Sequence, residues 1–208
     1  MRIEWTAAGL EVEAVDEAGT ERLGRALAAA VRPGTVIGLI GPLGAGKTRL
    51  VRALAEALGV DPGTIASPTF VLIHEYEGDL PLYHFDAYRL AGPDAFDDLG
   101  AAEYLGGEGV CLVEWADLVA DRLPADAWML RIEPTGPSSR QFLLALPPGS
   151  PAFDDLAARL APGTAEGPGP AAEGRVTSTP SPPPPPPTRN PSSARRPRPS
   201  SRRPRPGG

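Results

Sequence analysis

At 208 residues and 41% hydrophobic content, the chain can bury a sizeable core in one domain or two. Its single cysteine, Cys111, excludes an intramolecular disulfide, and two histidines, His74 and His84, with no second Cys/His pair at ligand spacing, argue against a zinc site. The formal charge of −6 is unevenly placed: fifteen of the 27 prolines and eight arginines, against only Glu166 and Glu173, fall in 161–208, leaving a body of −12 that lacks the clustered cations needed for broad capture of nucleic acid.

The first residues, "MRIEWTAAGLEVEAVDEAG", show no uninterrupted apolar stretch of the signal-peptide kind. No window approaches the roughly 18 apolar residues of a membrane span, so a cytoplasmic location without membrane contact is expected. Val12–Val15 predicts a short strand, after which Asp16 caps a helix with Leu23, Leu27, Ala30 and Val31 at helical spacing, stopped by Pro33 and Gly34. "TVIGLI" (Thr35–Ile40) is a continuous apolar run expected in a strand covered on both faces, and "TRLVRALAEALG" behind it reads as a helix closed by Gly59. "FVLIHEY" and "LPLYHFD", separated by Glu77, Gly78 and Asp79, have the spacing of a hairpin. "DAFDDLGAAEYL" reads as helical, "GVCLVEW" as a further buried strand, and "WMLRI" and "QFLLAL" as two more flanking the loop "EPTGPSSR". The expected fold is therefore α/β, with a mixed central sheet flanked by helices.

The folded domain is expected to span 1–160. From 161 to 208, with no aromatic residue and a proline run at Pro182–Pro187, the chain cannot repay its ordering entropy and reads as a disordered, cationic Pro/Arg-rich tail. A plain solvated extension is the simpler account of that tail; an arm that contacts nucleic acid or a partner is the other.

Gly41, Gly46, Lys47 and Thr48 match GxxxxGK[ST], between a buried strand and a helix, the setting in which this motif is informative. Glycines let the backbone N–H groups of Gly44, Ala45, Gly46 and Lys47 converge on one concavity, and the helix N-terminus adds partial positive charge, so the concavity suits phosphates. Lys47 is the only lysine beside nineteen arginines. A compact ammonium fits a crowded loop that a planar guanidinium would not, and the Thr48 hydroxyl is placed to enter a Mg²⁺ shell.

A phosphate loop of this kind needs a carboxylate at the end of a neighbouring strand, and the chain offers two: Glu114 at the end of "LVE" and Asp86 at the end of "LYHFD". Glu114 is expected as the closer metal ligand, with Asp86 positioning water or a ligand. "SPTF" (Ser67–Phe70) stands where a phosphate-sensing switch would sit, or is a plain turn at Pro68. Cys111 reads as a buried structural thiol. A guanine-nucleotide switch is disfavoured because no second lysine exists to build an [NT]KxD loop, leaving "DDLG" a chance match on a helix surface. A small-molecule kinase would want an arginine-rich lid that the body does not supply, and a non-catalytic nucleotide-binding switch protein is a further alternative.

Taken together, "GPLGAGKT", "SPTFVLIHEYEG", "YHFDAYRL" and "LVEWAD" resemble the TsaE (YjeE) family of bacterial P-loop ATPases over roughly residues 10–146. The resemblance implies a Mg²⁺-dependent ATPase required for threonylcarbamoyladenosine at position 37 of tRNAs that read codons starting with A; because no activated base or cis arginine finger stands out, turnover by the isolated protein is expected to be slow. Such a protein acts on a complex of TsaB and TsaD and meets tRNA only through it. By matching position it implies that Gly44, Ala45, Gly46, Lys47, Thr48 and Arg49 wrap the phosphates and that Thr48 and Glu114 hold Mg²⁺. Asp86 would be needed for hydrolysis, Thr69 would belong to the switch, and the Trp115 indole would sense nucleotide. Glu17 and Gly136 align with positions that approach the nucleotide, although Pro134 and Pro137 depart from the family pattern around Gly136.

Overall fold

The computed structural model describes residues 1–6, 9–68, 71–147 and 149–160; the segment expected as a tail, 161–208, and Thr69 of the expected switch lie outside the described residues. Eight strands are formed: β1 (Arg2–Thr6), β2 (Gly9–Ala14), β3 (Val36–Ile40), β4 (Ile73–Tyr76), β5 (Leu82–Asp86), β6 (Val110–Glu114), β7 (Trp128–Pro134) and β8 (Arg140–Ala145). They make one sheet in the order β1-β2-β8-β7-β3-β6-β5-β4. The four middle strands, β7, β3, β6 and β5, run parallel, and antiparallel pairings extend the sheet at both ends. The expected α/β fold with a mixed sheet is the fold observed.

Alternation along the central strands sends side chains to two separate cores. Ile37 and Leu39 of β3, with Val110 and Leu112 of β6, join α1 (Glu17–Ala30), α2 (Lys47–Ala57) and a C-terminal helix on one face. Val36, Cys111 and Val113 point the other way, against Phe85, Phe96 and Ala101. Asp16 caps α1 as its position predicts, its Oδ1 accepting from the Gly19 amide at 2.8 Å. Helices α1 and α2 approach closely at Gly24, where an added Cβ would stand 2.6 Å from the Ala53 Cβ. That contact fixes how α2, and with it the glycine loop at its head, is seated on the sheet.

Three local expectations are corrected, and two elements, β1 and a last helix, were not foreseen. The strand placed at Val12–Val15 is β2, Gly9–Ala14: Leu10, Val12 and Ala14 alternate into the core, while Val15 is 57% exposed and leads into the Asp16 cap. Preceding it, β1 pairs antiparallel with β2, Ile3 and Trp5 packing against the core and Arg2 and Glu4 turned away. "FVLIHEY" does not extend throughout, because Leu72 takes a left-handed φ of 70° and only Ile73–Tyr76 pairs with β5. "DAFDDLGAAEYL" divides into two short helices, α3 (Pro93–Asp97) and α4 (Ala101–Leu105), broken at Gly100 with φ 72°. An unforeseen helix, α5 (Ala152–Leu160), buries Ala152, Leu156 and Leu160, four residues apart, and stacks Phe153 on Trp5 with ring centroids 3.8 Å apart.

No helix among the described residues is long and apolar enough to cross a membrane. Cys111 is buried in β6, where desolvation pushes its thiol up to about 12 and its Sγ–H donates to the Tyr104 carbonyl at 3.2 Å. At pH 8 the folded chain therefore holds almost no Cys111 thiolate, the species that reacts. Ellman's reagent should find no thiol in the native protein and one per chain after unfolding in urea; prompt native reaction would show that β6 is not covered as described.

Candidate nucleotide and metal site

The glycine loop leaves the carboxyl end of β3 and enters α2 at Lys47, so the site lies at the carboxyl ends of adjacent parallel strands. Gly44 and Gly46 take φ of 79° and 105°, left-handed values that side-chain-bearing residues rarely adopt. Gly46 caps α2 without a side-chain hydrogen bond, which leaves the first amides of the helix to the loop's concavity. The Ala45 amide differs from the other three expected to converge. It donates to the Pro42 carbonyl at 3.1 Å, closing a turn, and the Ala45 side chain is fully buried beneath the loop.

Lys47 is only 4% exposed. Its Nζ donates to the carbonyls of Gly41 at 2.8 Å and Pro42 at 3.1 Å and lies 3.8 Å from the centre of the Trp115 ring. Burial pulls the ammonium below its usual range, and the neighbouring carboxylates of Glu114, Asp86 and Asp117 oppose that pull. Trp115 reaches the ammonium through a left-handed backbone, φ 59°, directly after β6. Such a conformation in a bulky residue costs on the order of 1–3 kcal/mol and persists where its surroundings enforce it. Here they are Lys47 beneath the indole and the Tyr88 ring stacked at 4.8 Å.

Asp86 and Glu114 end β5 and β6 and are direct partners in the parallel register. Both are buried. Glu114 Oε1 accepts from the Thr48 hydroxyl at 2.7 Å and meets His84 Nε2 at 2.9 Å. Asp86 Oδ1 accepts from the Tyr88 amide at 3.0 Å, so the carboxylate also caps the short turn that carries Tyr88. A hydroxyl and two carboxylates form a hard oxygen donor set suited to Mg²⁺ together with phosphate oxygens, and among the described residues no group of three or more His, Cys, Asp or Glu is placed to hold a metal ion by itself.

A cleft of about 300 Å³ gathers most of the expected residues: Gly44, Gly46, Lys47, Thr48, Arg49, Asp86, Glu114 and Trp115 all line it. Arg49, on its wall, pairs with Glu17 of α1 at 2.7 Å, so Glu17 reaches the site through this ion pair. Gly136 does not line the cleft; its carbonyl accepts from Arg140 Nη1 at 3.0 Å. The same guanidinium donates from Nε to the Ala45 carbonyl at 2.7 Å and from Nη2 to that of Gly44 at 3.4 Å. Arg140 thus braces the back of the glycine loop against the β7–β8 turn.

No local signal in the sequence marks the role of Arg140, since the loop that it braces lies 95 residues away. Nor does any signal single out His84 or Tyr88; Tyr88 lines the cleft, as does Ser67, the first residue of the stretch expected as a switch. Replacing Arg140 with alanine should remove charge-assisted bonds worth about 1.5–3 kcal/mol and speed hydrogen exchange at the Ala45 amide, which closes the loop's turn on the Pro42 carbonyl, by on the order of ten- to a hundredfold. Unchanged exchange by mass spectrometry would mean that the loop holds its own shape.

The profile of the threonylcarbamoyl adenosine biosynthesis protein TsaE matches residues 14–142. Among curated relatives, the tRNA threonylcarbamoyladenosine biosynthesis protein TsaE of Bacillus subtilis is 43% identical over 134 residues, covering 64% of this chain and 83% of its own. The protein of the same name from Treponema pallidum is 40% identical over 126 residues, 61% of this chain and 93% of its own. Among solved structures, Bacillus subtilis YdiB superposes with a TM-score of 0.56 at 34% identity, covering 76% of this chain and 95% of the other. On sequence and fold alike, the chain belongs to the TsaE family.

Proposed function

We propose that this chain is a Mg²⁺-dependent ATPase that serves threonylcarbamoyladenosine formation at position 37 of tRNA, acting on a complex of TsaB and TsaD. Membership of the TsaE family supports a role in threonylcarbamoyladenosine biosynthesis. The observation that carries the ATPase reading is the 2.7 Å contact between the Thr48 hydroxyl, in the first turn after the glycine loop, and the Glu114 carboxylate at the tip of the neighbouring strand. With Lys47 one residue before Thr48, phosphate and metal functions meet at one point of the cleft.

In this reading the free amides at the head of α2 bind the phosphate chain. Lys47 leaves the Gly41 and Pro42 carbonyls for the β- and γ-phosphate oxygens, an exchange of acceptors that costs little because the ammonium is already desolvated. Thr48 and Glu114 would hold Mg²⁺, which when bound neutralises charge developing on the phosphate oxygens. Asp86 orients the attacking water or its hydrogen-bonding neighbours. Trp115, resting on the ammonium that must move, would register the arrival of nucleotide. Thr69 keeps the switch role the family resemblance implies, whereas Gly136, which does not line the cleft, would act on the nucleotide's surroundings through Arg140, whose guanidinium it shares with the glycine loop.

The site is equipped for binding more fully than for rapid chemistry. Arg49 is directed to Glu17 and Arg140 to loop carbonyls, and a transition-state arginine is worth roughly a thousandfold or more where one is supplied. Turnover by the isolated chain should therefore be slow and rise when TsaB and TsaD dock, as measured by phosphate release from ATP with and without the complex. Equal rates would count against the assignment. Lys47→Ala should abolish nucleotide binding by calorimetry, and retained affinity would remove the loop from the mechanism. For the Pro/Arg-rich segment we propose no part in ATP hydrolysis.

A further inference from the structure

His84 stands where its surroundings favour an aliphatic side chain. On β5 it shares a sheet face with Leu82 and Asp86, its in-register neighbour on β6 is Leu112, and it is fully buried. An imidazole placed there loses its hydration and needs a hydrogen bond in return. The structure gives it one: Nε2 lies 2.9 Å from Glu114 Oε1, while Nδ1 has no partner among the described residues. The tautomer that suits this environment carries its proton on Nε2, donating to the carboxylate, with the bare Nδ1 turned to packing.

Glu114 Oε1 thus receives two donors from different elements, Thr48 from α2 and His84 from β5. Two fixed donors on one oxygen hold the carboxylate against rotation and leave Oε2, which makes no hydrogen bond among the described residues, as the oxygen for a cation. Had Thr48 been the only partner, its hydroxyl would have to orient the carboxylate and ligate the metal at once. We propose that His84 is a positioning residue: it donates Nε2–H to Oε1 of Glu114 and so holds that carboxylate ready for the divalent cation before nucleotide arrives. The proposal rests on the reading of Thr48 and Glu114 as metal ligands. Residues that orient a ligand from behind in this way are worth on the order of 10- to 100-fold in metal affinity.

The test uses the full chain and Mn²⁺ as probe, with free Mn²⁺ followed by electron paramagnetic resonance in the presence of a non-hydrolysable ATP analogue. In His84→Gln the amide nitrogen can reach the place of Nε2; in His84→Asn it overlays Nδ1 and cannot reach Glu114. His84→Asn should weaken Mn²⁺ binding by about 10- to 100-fold, and His84→Gln should stay within about threefold of the unsubstituted protein. Both variants should bind the analogue alike when EDTA removes the metal. Asn and Gln variants with equal Mn²⁺ affinity, or with equal losses of metal-free nucleotide binding, would overturn the proposal and make His84 a packing residue. Absence of any coupling between Mn²⁺ and nucleotide in the unsubstituted protein would instead defeat the ligand reading beneath it. Nitrogen-15 histidine NMR on the unsubstituted chain provides an arm that needs no folded variant: the proton should sit on Nε2 and its resonance should move when Mg²⁺ and analogue are added. A proton on Nδ1 would sink the idea.

Discussion

The arrangement depends on one buried electrostatic problem, that of placing a lone ammonium and two carboxylates in the interior at the ends of three strands. Lys47, Asp86 and Glu114 are each under 5% exposed, and an unpaired charge at that depth is costly. The chain meets the cost with many short polar contacts. Loop carbonyls and an indole face surround the ammonium, a hydroxyl and an imidazole hold Glu114, and a backbone amide holds Asp86. None of these partners is itself a mobile surface charge, so the cluster is pre-formed and a phosphate with its cation can replace contacts already organised.

The surrounding scaffold sets the positions of the groups in that electrostatic centre. Parallel pairing of β3, β6 and β5 puts the loop, Glu114 and Asp86 side by side. The close approach of α1 and α2 at Gly24 sets the depth of Lys47 and Thr48, and Arg140 pins the loop from behind. The two short helices α3 and α4 and the antiparallel edge strands contribute cover to the sheet more than chemistry.

Much of this was legible from residue order alone. The glycine loop declares itself because its residue types are dictated by local backbone geometry, and strands β3 and β6 because continuous apolar runs have few other uses. Glu114 and Asp86 are visible because each follows such a run directly. What the sequence hides is whatever depends on pairing across long separations. Arg140 has nothing in its own neighbourhood that points to Ala45, and His84 looks like one more residue of an apolar strand until Glu114 is seen beside it. β1 and α5 escape notice for a related reason: each has a short period of buried positions that acquires meaning only when the two pack together through Trp5 and Phe153.

Burial of the chain's sole lysine has a practical corollary. Amine-directed chemistry, whether an enzymatic acylation or a laboratory label, finds no side-chain ammonium on the surface of this fold and reaches Lys47 only when the Gly41 and Pro42 carbonyls and the indole release it. Acylation of a side-chain amine is therefore confined to the one position that the proposed chemistry can least spare.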